Sequence, residues 1–165
     1  KGNFGRGIDV LLDMNMPFTN VFVGYSNTEK DGGDGGGADA TQDREEGVAG
    51  INFTVGPVKL GMQKTLEYSG AEETGTDVMG YANTMFGVSF NVSDSLSLSY
   101  GKVESKKAFV SAANGKPKLV IESFQAAYTM GGASIKVAET KADSVAYTMY
   151  GADKEATTVA LSLAF

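Results

Sequence analysis

Charged side chains alternate with apolar ones in several runs of this chain, and four aspartates punctuate one glycine-rich loop. These are the residues placed to do chemistry. Asp9 and Asp13 lie opposite Ile8, Val10, Leu12 and Met14, Lys59 and Glu67 lie opposite Val58, Leu60, Met62 and Leu66, and Lys136 lies opposite Ile135 and Val137. Set among Gly, Ser, Thr, Asn and Gln, such charges act through the electric field they make in water. They are candidates to line a pore and bias which ions enter it. The bland reading is a set of solvated wall residues. The loop runs D-G-G-D-G-G-G-A-D-A-T-Q-D-R-E-E from Asp31 to Glu46. Calcium takes six to eight oxygen ligands, and Asp31, Asp34, Asp39 and Asp43 offer several, so Ca2+ is the one cofactor these residues invite. The Gly/Asp spacing loosely matches calcium-binding nonapeptide repeats. It occurs once, without the repeating strand signature, so an acidic surface loop is the better reading.

The 165 residues include no His and no Cys. Ser-His triads, disulfides, thiolate sites and most zinc sites are therefore absent. Histidine-free alternatives need a Lys or a carboxylate pair in a closed cleft, and no spacing here suggests one. The composition argues against an enzyme, and the net charge of −6 argues against a nucleic-acid partner. No stretch approaches the roughly 18 consecutive apolar residues of a transmembrane helix. A membrane-spanning strand would escape that criterion, because alternation keeps its average hydropathy low. The chain opens on Lys1 without a basic-then-apolar leader; either a leader was cleaved or the chain begins inside a longer polypeptide.

The elements that hold these residues are strands. Short breaks at Asn15–Met16–Pro17, Gly56–Pro57, Ser93–Asp94–Ser95 and Gly131–Gly132 recur at about 37 to 40 residues, with about 34 more to Phe165, which is two strands and one long connection per step. Longer polar stretches at 29–46, 69–77, 106–118 and 141–154 separate them, and Pro17, Pro57 and Pro117 all fall in connections, where a missing N–H does no harm. Nine alternating segments result. Their inner face is mainly Gly, Ser, Thr, Asn, Gln and Ala, which suits a water-filled interior better than a packed one. Phe90, Tyr128 and Phe165 fall near the short-turn side and Tyr25 and Tyr68 near the long connections, the placement of aromatic girdles. Lys64 fits badly, since its phase puts it between Met62 and Leu66; a snorkelling lysine, a phosphate or subunit contact, or a bulge would each account for it.

The segment T-T-V-A-L-S-L-A-F, from Thr157 to Phe165, alternates Val159, Leu161, Leu163 and Phe165 with Thr158, Ala160, Ser162 and Ala164. Ending on a terminal aromatic, it resembles the C-terminal assembly signal of Gram-negative outer-membrane barrels. The chain as a whole resembles the outer-membrane general-diffusion porins. That resemblance implies an all-β fold: a transmembrane antiparallel up-and-down barrel, with residues 1–165 as the C-terminal portion holding about nine of sixteen strands. It implies a bacterial outer-membrane location, outer-membrane lipid and lipopolysaccharide as surroundings, the barrel-assembly machinery as a partner, and a homotrimer. The function implied is a passive channel for small hydrophilic solutes and ions. The porins' constriction loop belongs to the N-terminal half and is expected to lie outside this sequence. Two other readings compete. One is a small closed barrel of eight strands with a structural or adhesive role, which needs the Ile8 segment to lie outside the barrel. The other is a soluble ligand-binding barrel, opposed by the long outward apolar faces.

Overall fold

The computed structural model describes residues 7–29, 43–70, 77–148 and 151–163. It is all-β: nine strands form one sheet in sequence order. They are β1 (Gly7–Met16), β2 (Thr19–Thr28), β3 (Arg44–Val55), β4 (Val58–Tyr68), β5 (Val78–Asn91), β6 (Leu96–Phe109), β7 (Lys118–Met130), β8 (Ala133–Asp143) and β9 (Lys154–Leu163). Every pairing joins sequence neighbours and is antiparallel. Among the described residues the outer edges of β1 and β9 have no strand partner. The short connections are tight turns, with Gly56 and Gly131 at φ of 56° and 59°, a region that β-branched and bulky residues avoid.

Partners in an antiparallel ladder share a face, so the register sorts the side chains. One face carries Val10, Val23, Ile51, Met62, Phe86, Tyr100, Phe124, Val137 and Val159. The other carries the small polar residues. No large hydrophobic side chain is buried among the described residues, and Leu161, Val159 and Val10 remain 60% or more exposed. A sheet that leaves its greasy face bare has no internal core to hold it together, so its stability must come from what covers that face.

The short turns do not line up across the ladder. The row that begins at Met16, the last residue of β1, passes through Thr19, Phe53, Leu60, Val88, Tyr100 and Phe124 and meets β8 at Glu139, about six residues past its first residue, Ala133. From the first short turn to the fourth the slip is about one residue per strand. With about 3.3 Å of rise per residue and about 4.8 Å between strands, the strands tilt by roughly 35° to the line of turns. That stagger is what a sheet needs in order to close on itself.

Measured from this sloping line, the apolar face resolves into a level belt. Tyr25, Lys64, Thr84, Lys102, Glu122, Glu139 and Thr157 all stand about seven residues above the turns, close to 19 Å up. Below that level every described residue on this face is apolar or tyrosine except Thr19, which sits at a turn. From that level upward the face turns charged on β6 to β9, with Lys102 bonded to Glu122 at 2.7 Å, and Glu104 held by Lys106 at 3.1 Å and Lys118 at 3.3 Å, while β4 and β5 carry Leu66, Tyr68 and Ala82 there.

Several boundaries differ from the sequence expectation. β3 starts at Arg44, β6 continues to Phe109 and β8 continues to Asp143, inside stretches expected to be loops. Once both faces are polar, alternation disappears while the ladder continues. Lys64 lies in an unbroken ladder, opposite Ala49 and Thr84. Its phase is true, with no bulge beside it.

Candidate functional site

The polar face holds the candidate residues. Asp9, Asp13, Lys59, Glu67 and Lys136 all lie on it, opposite Ser26, Phe22, Thr54, Glu46 and Ala127 respectively. The register brings some of them together. One row runs Asp9, Ser26, Glu46, Glu67, Tyr81 and Lys107 across β1 to β6. Arg44 reaches down to this row, with Nη2 2.5 Å from Glu46 Oε1 and 2.9 Å from Glu67 Oε1. These groups are exposed, so the bridge tethers side chains more than it stabilises the fold. Asp9, Glu46 and Glu67 border a hollow of about 480 Å³ with Ser26, Thr65 and Asn83.

Asp13, Lys59 and Lys136 stand apart from this row. Asp13 accepts a hydrogen bond from Asn20 Nδ2, which also donates to Asn15 Oδ1 at 2.8 Å. Lys59 borders a second hollow of about 410 Å³, whose floor is the backbone of Gly61, Gly87 and Gly101. The carboxylates of this face, Asp9, Asp13, Glu46 and Glu67, fall on β1 to β4 together with Arg44 and Lys59, while Lys107, Lys136 and Lys154 fall on β6, β8 and β9.

Arg44, Glu46 and Lys107 were not anticipated as site residues. The signal was present: Arg44, Glu46, Val48 and Gly50 keep one phase with Asn52, but the adjoining acidic run masked it. Of the calcium candidates, Asp31, Asp34 and Asp39 lie outside the described residues, and Asp43 immediately precedes β3. Among the described residues no group of carboxylates converges to hold a metal ion. In the terminal strand Val159 and Leu161 share the apolar face with Val137 and Ile135, and Leu163 lies opposite Ala133 on it. Phe165 lies outside the described residues. No protein-family profile matches the chain, and no curated protein matches it.

Proposed function

We propose that this chain forms part of the wall of a transmembrane β-barrel that acts as a passive channel for small hydrophilic solutes and ions across a bacterial outer membrane. The level apolar belt carries the reading. Tilted strands of a soluble protein have no reason to stay apolar up to one height on every strand and to turn charged there on β6, β7, β8 and β9. A lipid boundary imposes that, and the belt's height of roughly 19 Å approaches the band of about 25 Å on outer-membrane barrels. The charged zone above it then sits among lipopolysaccharide headgroups, and Lys64 snorkels to the same level.

The polar face becomes the wall of a water-filled lumen, with Gly, Ser, Asn and a few charges in place of packed side chains. The outer edges of β1 and β9, unpaired among the described residues, call for further strands to close the barrel, as a sixteen-stranded porin would provide, and lipid-embedded barrels do not leave edges open. β1 pairs with β2 over its whole length, which weighs against a barrel of eight strands that excludes it. A homotrimer assembled by the barrel-assembly machinery belongs to the same proposal.

The test is electrical. The native protein added to a planar lipid bilayer is expected to produce stepwise, ohmic conductance increments and to release small sugars from liposomes. Folded protein in the membrane without increments would leave a structural barrel and end the channel reading.

Selectivity supplies a further expected result. Replacing Glu46 and Glu67 by Gln frees Arg44 and leaves Asp9 as the last carboxylate in the upper row. The permeability ratio of cation to anion should fall by about two-fold or more, read as a shift in reversal potential across a salt gradient. An unmoved reversal potential would mean that ions do not pass this row.

A further inference from the structure

After β8 the chain, at residues 144–148, turns onto the polar face. Tyr147 brings its hydroxyl within 2.6 Å of Ser105 Oγ on β6, and its ring centroid lies 5.6 Å from that of Tyr81 on β5. Ser105 and Tyr81 both belong to the polar face, in adjacent rows. To reach them the segment crosses β7, against which its short 3-10 turn, Val145–Tyr147, packs.

The attachment is built from several parts. Ser105 is the one buried polar residue among those described, at 6% exposed. Its hydroxyl donates to Asn83 Oδ1, and Asn83 Nδ2 donates to Thr65 Oγ1 at 3.0 Å. With the serine proton committed to Asn83, Tyr147 is the donor to Ser105. A chain of hydrogen bonds thus ties the segment across β6, β5 and β4. The backbone is bent to suit. Ser144, Ala146 and Tyr147 have φ of 56°, 64° and 58°, a left-handed region that side chains other than Gly and Asn avoid. Such conformations persist where surrounding contacts over-determine them. On the far side, Thr148 Oγ1 donates to Val145 O at 3.0 Å and Gly151 N donates to Thr148 O at 3.1 Å, closing the turn on itself.

We propose that this segment is a size-limiting strap: Tyr147, pinned by Ser105 and Tyr81, narrows the passage at the long-connection end and sets the largest solute that enters. The inference rests on the channel reading. The strap acts on width, whereas the Glu46–Glu67 row acts on charge.

The experiment compares the native protein with Tyr147→Ala, Tyr147→Phe and Ser105→Ala in planar bilayers. Neutral polyethylene glycols of graded size report the width. Tyr147→Ala should raise unit conductance by at least about 1.5-fold and admit larger polymers, leaving the reversal potential unchanged. Tyr147→Phe and Ser105→Ala keep the bulk but cut the pin, so they should add open-channel noise. Since the sequence has no cysteine, Tyr147→Cys gives a unique thiol, and a bulky methanethiosulfonate reagent should then lower the current of open channels. That readout serves if the alanine variant does not fold. Native conductance and native polymer cut-off in Tyr147→Ala, or no effect of labelling on current, overturns the strap while leaving the channel intact. A native protein without channels overturns both.

Discussion

Arginine in place of Leu98 is expected to abolish insertion, while arginine in place of Ser99, the next residue, is expected to be tolerated. Leu98 is flanked by Phe90 and Ala126 on the apolar face, a little below mid-height of the belt. A guanidinium there faces hydrocarbon, at about 2–4 kcal/mol near the bilayer midplane and less toward its edges. Among the described residues no large hydrophobic is buried to offset that loss. Ser99 lies between Ser89 and Gln125 on the polar face and borders the hollow around Lys59. An arginine there stays in water and adds a positive charge to the wall. Membrane fractionation with protease protection reads the difference. Equal loss in the two variants would mean that the faces are not segregated between lipid and water, and the belt would lose its meaning.

The second large effect is expected at Gly80. A Cβ built there would lie 1.9 Å from the carbonyl oxygen of Glu67, 3.0 Å from its carbonyl carbon and 3.2 Å from Tyr68 Cα. All three atoms are backbone, so no rotamer change relieves the clash. The register between β5 and β6 shifts between Val78 and Gly80, and the extra residue, Met79, accepts from Ser69 N at 2.9 Å through its carbonyl. Gly80 is therefore the point where β4 and β5 touch next to a bulge. Gly80→Ala should cost about 1–3 kcal/mol and lower the unfolding temperature by several degrees. Gly47→Ala is the control, because nothing lies within 4 Å of its Cβ, and it should be close to neutral. Similar unfolding temperatures for the two variants would refute the close approach.

The strands were legible because one face changes solvent and the other does not. Val58, Leu60, Met62 and Leu66 alternate with Lys59, Gly61, Gln63 and Thr65, and the structure pairs them as that pattern requires. Legibility ended where the contrast ended. Lys102, Glu104 and Lys106 share a face with Leu98 and Tyr100, yet their opposite neighbours include Ser105 and Lys107. With polar residues on both sides, a ladder and a loop look alike in sequence. Hydrogen bonding settles the matter there, and it leaves no mark on composition. The opposite error of pattern is also present: Phe22 lies on the polar face, its ring over Gly50, an aromatic covering a bare stretch of backbone. Tyr147 was invisible for a different reason. Its partners Ser105 and Tyr81 are more than 40 residues away in sequence, and no short-range pattern encodes that meeting.

The strictly sequential strand order also bears on how the chain reaches this state. Each strand docks on the one made just before it, so the growing sheet always presents a single fresh edge. The entropy lost at each addition is that of one local hairpin loop, and grows only slowly with the loop's length. Pairing can then proceed as a zipper, one hairpin at a time. An error of register early in the zipper displaces everything after it, whereas an insertion in a long connection delays a single step.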